Sequence, residues 1–432
     1  MKANTLIFDR YEIDAKAKTL RFYYEYDTGV QFCETLEIDT DWHMSSARHE
    51  ALDRAAFGLW VMMGISYFKA YLPEAIEFKN GGLSTEQAAF FTKVYEHGLG
   101  ELFVVNELNP HDRVHFEGSK EADAAIGLEA ELRGSLVAVG GGKDSLTTAE
   151  LLTSANEAFT TWSTWNPELI EPMMQRIGAP SVNVRRTLPK ALLDLANDPE
   201  AYAGHVPFSA IYSFISVVVC IVVGRQNAVF SNEASAEEPN LIYQGLPINH
   251  QYSKSLEYER DFQNYLKTYI SPDINYFSFL RPLTELHIAE IFGKRYIHKY
   301  TGLFSSCNTN WRQNGVTGLG WCGKCPKCAF VFLILAPFVP KATLLQLFGH
   351  DLLGDEELTD MYNEIFGLKG YKPFECIGEV AEARLAAQMA YESGEYPSVE
   401  RFNLEPEELD YKALRPHAMP NYFYEILRSS IS

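Results

Sequence analysis

The chain reads as an α/β protein: a doubly wound parallel sheet, preceded by an N-terminal α+β module and followed by a helical C-terminal region. Three observations predict this. The apolar run Leu136-Val-Ala-Val139 breaks into Gly140-Gly-Gly142 and then into a helical pattern. Strand-like and helix-like segments alternate from there to about residue 296, the signature of a parallel sheet covered on both faces. Before residue 40 the apolar residues recur with period two, and the last ninety or so residues are acidic with helical spacing. With 432 residues and 47% hydrophobic content the chain can build two or three real cores. The boundaries are drawn at 1–115, 116–340 and 341–432.

In order, Leu20, Phe22, Tyr24 and Tyr26 fall on one face, Asp27-Thr-Gly29 supplies a turn, and Val30, Phe32, Leu36 and Ile38 resume the pattern, which predicts antiparallel hairpins. From about Ser46 to Leu99 the period becomes helical; Ser84 and Gln87 make a capping box and Gly98 can close the element. Asp112 to Arg133 is a charged approach to the glycines. Beyond them, 159–164, 181–186, 228–231 and 276–279 are read as strands. Segments 167–177, 189–197, 253–270 and 283–296 are read as helices, as is the run from Phe208. The uncharged run Val206–Gly224 approaches spanning length, but it carries Ser209, Ser213 and Ser216 and lacks basic flanks, so a helix buried against the sheet explains it better than a membrane span. Leu385, Ala386, Met389 and Ala390 set an apolar stripe in the helical tail.

The glycine stretch carries the first chemistry. Gly140, Gly141 and Gly142 let bare N–H groups approach a ligand, and Leu146, Ala149 and Leu152 mark a helix whose positive end points into that loop. An anion belongs there. The spacing fits neither the P-loop nor the dinucleotide fingerprint. The stretch resembles the Ser-Gly-Gly-x-Asp-Ser loop of the PP-loop ATP pyrophosphatases, with Gly140 in place of the first Ser. The resemblance implies the corresponding fold, and ATP bound by Gly140, Gly141, Gly142, Lys143, Asp144 and Ser145, with Mg²⁺ bridging its phosphates and Asp144 as a ligand.

Cys322, Cys325 and Cys328 are spaced Cys-x2-Cys-x2-Cys with Cys307 upstream, a set able to close a tetrahedral Zn²⁺ site that pins a thin loop. Iron–sulfur ligation shares the triple spacing and stays open; a cyano-deazaguanine-forming PP-loop enzyme carries a comparable cluster, a resemblance that favours structural zinc. Cysteine crowding of this kind suits a reducing compartment, and the amino terminus meets charge at once with no apolar export segment, so a cytoplasmic location is expected. Asp plus Glu number 57 against 37 Lys plus Arg, a formal charge of -20, which disfavours an extended nucleic-acid partner.

Further segments fall into line with one family. Gly204-His-Val-Pro-Phe208, Ser231-Asn-Glu-Ala-Ser235, Arg281-Pro-Leu-Thr-Glu285, Trp321-Cys-Gly-Lys-Cys325 and Lys372-Pro-Phe-Glu-Cys376, together with the glycine loop, resemble the bacterial UDP-N-acetylmuramoyl-L-alanyl-L-glutamate epimerases over nearly the full chain. The resemblance implies ATP-dependent inversion of the terminal glutamate of a small-molecule peptidoglycan precursor, with release of AMP and pyrophosphate. Adenylation removes the carboxylate charge that otherwise forbids loss of the α-proton. Lys143 and Ser145 would hold the departing charge. His205, at a helix start, and Cys376 are the candidate acid and base, and Arg185, Arg186 and Arg281 are candidate clamps for substrate anions. Two other readings compete: a PP-loop ligase or nucleobase-modifying enzyme, and a non-catalytic zinc-stabilised nucleotide-binding scaffold.

Overall fold

Period-two burial organises the front of the molecule. Strands β1 (Thr5–Asp14), β2 (Thr19–Tyr26) and β3 (Gln31–Ile38) form antiparallel hairpins, with Leu6, Phe8, Leu20, Phe22, Tyr24, Leu36 and Ile38 turned to one face and fully or almost fully buried. This is the hairpin sheet that the alternation predicts. A short strand the pattern does not announce, β4 (Ala75–Phe78), adds to β1 in parallel. The computed structural model describes residues 2–119, 121–164, 167–311 and 319–431.

The second half of the sheet is parallel. Strands β5 (Ser135–Ala138), β6 (Phe159–Ser163), β7 (Ser181–Thr187) and β8 (Asn227–Phe230) lie where the alternation places them, followed by a small separate hairpin, β9 (Leu241–Tyr243) and β10 (Leu246–Ile248), and by β11 (Asn275–Ser278). Their order is β11-β8-β5-β6-β7, all parallel neighbours. β7 then pairs antiparallel with β3, so hairpin and parallel portions make one nine-stranded sheet across the boundary drawn near residue 115. The β9–β10 hairpin turns through Gln244 and Gly245, both at positive φ, without the Asn-Gly or Asp-Gly signal that would have revealed it.

Side chains of the parallel strands feed two cores. Leu136, Ala228, Phe230 and Tyr276 join the core with the helices Ser46–Met63 and Phe208–Val223, whereas Val137, Val229 and Phe277 join the core with Lys143–Ser154, Pro326–Leu335 and the C-terminal helices. Successive residues thus face opposite layers, as a sheet buried on both faces requires. Helix Phe208–Val223 is wedged so closely that a Cβ at Gly58 of the facing helix would sit 2.7 Å from the Phe214 ring. It is buried in protein, and among the described residues no helix is long and apolar enough to cross a membrane. In the tail, Ala386 and Ala390 of Val380–Glu392 are fully buried, with Leu385 and Met389 packed at the margin.

The strand order sets the place for a ligand. After β5 the chain winds outward through β6 and β7, then returns to lay β8 and β11 on the other side. Crossovers therefore leave β5 and β8 in opposite directions and open a crevice at their carboxyl ends.

Candidate active site

A cavity of ≈ 510 Å³ occupies that crevice. Its floor is the chain leaving β5: Ala138, Val139, Gly140, Gly142, Asp144 and Ser145 all line it. Gly141 holds φ +92°, and a Cβ there would lie 3.0 Å from Ile170 and 3.2 Å from Met173, so glycine is needed both for the turn and for the fit. A Cβ at Gly140 would meet nothing within 4 Å, so the missing serine hydroxyl of the resembled loop is not forced by lack of room. Gly142 is the N-cap of helix Lys143–Ser154 and offers no side-chain cap. The first N–H groups of that helix are left for a ligand, and the macrodipole favours an anion.

Lys143 is placed differently from the expectation. Its ammonium is buried, hydrogen-bonded to Asp144 and Glu285, and held further toward its charged form by those two carboxylates against the opposing effect of burial. The ammonium groups that line the cavity are instead those of Lys254 and Lys327. Neither stood out in the sequence, although Lys327 sits inside the cysteine motif.

The facing wall comes from Ser231, Asn232 and Glu233 beyond β8, with Trp162 of β6 and Thr164 just past its end. Burial, with Asp144 close by, raises the Glu233 carboxyl. Arg281 does not reach the cavity. Fully buried, it donates to the Glu233 carbonyl at 2.7 Å, to the Lys254 carbonyl, and to the Glu259 carboxylate at 3.2 Å, bracing the segments that carry two cavity residues. Arg186 pairs with the buried Glu34 across the β3–β7 seam, and Arg185 points to solvent on the other face of β7. None of the three arginines lines the cavity, so the clamp expected of them is not formed here.

Cys376 closes the far end with Glu375, Asn308 and Ser306. Burial alone would push its thiol up, but the Lys254 ammonium, a hydrogen bond to His250 and the Lys327 charge outweigh it and hold the thiol well below its ordinary range. His250 bonds Glu101 through Nδ1 at 2.5 Å; burial opposes its charge, but the bonds to Cys376 and Glu101 raise it to about 9. His205 is not on the cavity wall. It packs at a tilt behind His250 with ring centroids 4.2 Å apart, and burial, aided by the neighbouring His250 charge, pushes it down to about 2, leaving it neutral. Glu101, His205 and His250 bring donor atoms within 4.8 Å of one another. Lys69 and Lys254 face this group, and His250 is engaged on both sides, so it is better described as a hydrogen-bonded relay than as a cation site.

Behind this end lies the cysteine cluster. The Sγ atoms of Cys307 and Cys325 are 3.8 Å apart, those of Cys322 and Cys328 3.7 Å, and those of Cys325 and Cys328 3.5 Å. Four sulfurs about 2.3 Å from one Zn²⁺ would be about 3.8 Å from each other, so the cluster fits a single tetrahedral ion and is too tight to straddle a polynuclear iron–sulfur cluster. Backbone N–H groups of Cys322 and Lys324 point at Sγ of Cys307 and Cys322, each at 3.4 Å. Pro326 at the start of helix Pro326–Leu335 fixes the turn that sets Cys325 and Cys328 side by side.

Comparison with known proteins agrees along the whole chain. Residues 1–279 match the family described as the MurL N-terminal domain, and residues 303–408 the MurL C-terminal domain. A protein of Xanthomonas oryzae pv. oryzae named UDP-N-acetyl-alpha-D-muramoyl-L-alanyl-L-glutamate epimerase is 35% identical over 447 aligned positions, covering 99% of this chain and 98% of its own. Proteins of the same name from Salinispora tropica and a Micromonospora species are 38% and 35% identical, over 80% and 91% of this chain and 75% and 88% of theirs. A fold with its cavity at the β5–β8 crossover and these matches over both halves place the chain in the MurL family, whose relatives are named as epimerases, a class of isomerase.

Proposed function

We propose that the protein inverts the terminal L-glutamate of UDP-MurNAc-L-Ala-L-Glu to D-glutamate in the cytoplasm during peptidoglycan precursor synthesis. ATP is consumed to AMP and pyrophosphate by way of an acyl-adenylate. The observation that carries this reading is the composition of one cavity: an uncapped helix start at one end, and an ammonium, a buried carboxyl and an ionisable thiol at the other.

Triphosphate settles against the N–H groups of the Gly140–Gly142 loop and the first turn of Lys143–Ser154, where the dipole and the bare amides stabilise the charge of departing pyrophosphate. Lys143 acts from beneath, fixing Asp144 and Glu285. Asp144 opens onto the cavity and offers hard oxygen donors beside the phosphate site, which suits Mg²⁺; the ion would neutralise phosphate charge there. Lys254 and Lys327 attract the substrate carboxylate and keep it next to the α-phosphorus. Once the carboxylate is an anhydride, its α-C–H is acidic enough for side chains on the same wall to exchange the proton, and Cys376, Lys254 and Glu233 are the candidates, with Lys327 and Glu375 beside them.

The test is a single incubation in D₂O with ATP, Mg²⁺ and UDP-MurNAc-L-Ala-L-Glu. Formation of AMP, pyrophosphate and α-deuterated D-glutamate in equal amounts is expected. AMP without exchange at the α-carbon would point to a ligase or hydrolase, and no AMP at all to a binding scaffold.

A further inference from the structure

Three elements distant in sequence converge on the Cys376 sulfur. Glu101 belongs to the short helix Gly100–Val105, His250 follows β10, and Cys376 ends the segment Lys372–Cys376. The Glu101 carboxylate holds His250 through Nδ1 at 2.5 Å, and the same ring faces the sulfur and favours its charged form. The His250 and Glu101 side chains are 9% and 17% exposed, so the link is shielded from water. Lys254 lines the same cavity wall and its charge favours the thiolate, and Lys327 donates to the Cys376 carbonyl. The other ionisable groups facing this site include neutral His205, Lys69 beside Glu101, Glu375, which is tied to Asn308, and Glu233 and Asp144, which face Lys254. A carboxylate that orients an imidazole, which in turn faces a thiol at a cavity wall, is the arrangement that activates a nucleophile.

Thiolate chemistry divides in a way that matters here. Lowering a thiol's pKa removes basicity one for one, but nucleophilicity falls only about half as steeply. A sulfur surrounded by an imidazole and two ammonium groups is therefore a poor match for a weak carbon acid and a good one for an activated carbonyl.

Building on the acyl-adenylate reading above, we propose that Cys376 is a covalent nucleophile that takes the activated glutamyl group from AMP and carries it as a thioester while the α-carbon inverts. The sulfur lone pair forms the C–S bond as the carbonyl C–O bond to phosphate breaks, and AMP leaves with the electron pair; no proton has to move in this step. The thioester carbonyl keeps the α-C–H acidic. Acylation also removes the thiolate beside Lys254, leaving Glu233 and Asp144 as its anionic neighbours; its ammonium then gives one proton to solvent and, as the free amine, takes the α-proton. After reprotonation from a solvent-exchanging donor, water cleaves the C–S bond, restoring thiolate and carboxylate and releasing two protons to solvent.

The full-length enzyme is mixed with ATP, Mg²⁺ and UDP-MurNAc-L-Ala-L-Glu in D₂O, quenched in acid during turnover, and its peptides are weighed. A substrate adduct of substrate mass less one water on the peptide containing Cys376, removed by neutral hydroxylamine, is expected. Cys376→Ser should retain substrate-dependent exchange of pyrophosphate into ATP, which also shows that it is folded, while AMP release and α-deuteration fall roughly a thousandfold. Wild-type enzyme that deuterates the α-carbon and releases AMP with no adduct, or a Cys376→Ser enzyme that does both at near wild-type rates, would overturn the thioester and leave the epimerase reading standing. Wild-type enzyme that does neither would remove both.

Discussion

The Lys327 ammonium leaves the cysteine cluster and donates to the backbone carbonyl of Cys376, so the cluster and the far wall of the cavity are one structure. The same seam is repeated nearby. Asn308, next to Cys307, donates to Glu375, and the Ser305 amide donates to the Gly141 carbonyl at 3.0 Å, tying the cluster to the phosphate loop as well.

Metal in the cluster should therefore control nucleotide binding at a distance. Purified protein is expected to hold one Zn²⁺ per chain, with an X-ray absorption spectrum of four sulfurs at about 2.3 Å. Cys325→Ser, or chelation, should remove the ion and weaken ATP binding in a calorimetric titration by roughly tenfold or more, since the residues that shape the cavity lose their anchor. Metal-free protein that binds ATP with unchanged affinity would separate the cluster from the site.

Asp144→Ala should abolish AMP release, by roughly a hundredfold or more, while leaving circular dichroism unchanged, because its carboxylate faces the cavity and Lys143 keeps Glu285 as a partner. Turnover close to wild type would show that the phosphates of ATP lie elsewhere.

The sequence disclosed those parts of the site that depend on neighbours along the chain. The glycine loop, the helix it opens and the four cysteines are local patterns that lie where the spacing puts them, although the cysteine spacing alone left zinc and iron–sulfur open. Contacts across the fold had no such signal: Glu101 and His250 are 149 residues apart and meet only because the helix at 100 packs under the β9–β10 hairpin. The arginines show the opposite error. Arg186 and Arg281 suggested anion clamps by residue type, but both spend their charge on buried carboxylates, a choice visible only once Glu34 and Glu259 are placed. Strand β4 escaped for want of length, and the continuity of the sheet through β3 and β7 for want of any marker at a strand edge.

The Arg186–Glu34 pair gives a stability prediction. Glu34 is 0% exposed and also accepts from the Tyr67 hydroxyl at 2.9 Å, so Arg186→Met leaves a buried carboxylate without its cation. The expected loss is about 3–5 kcal/mol in urea unfolding, and Arg186→Met combined with Glu34→Leu should recover much of it. A single variant as stable as wild type would show that the seam tolerates the lone charge.

Glu382 supplies a test in pH. Its carboxyl is buried between the Ser235 hydroxyl and the Leu286 amide, which donates at 2.7 Å, and burial raises it to about 7 despite those two donors. The folded state thus keeps a proton that the unfolded chain, with its ordinary carboxyl near 4.5, gives up earlier. Between those two values the native state binds more protons, so stability falls as pH rises, by no more than about 3 kcal/mol in total. Glu382→Gln cannot ionise, its amide oxygen can still accept from the Leu286 N–H, and its NH₂ can face the Ser235 oxygen. Its unfolding free energy should follow wild type below about pH 4.5 and exceed it progressively up to about pH 7, measured by urea titration across that range. An unchanged difference between the two proteins at both ends would mean that Glu382 is ionised throughout and that its two donors outweigh its burial.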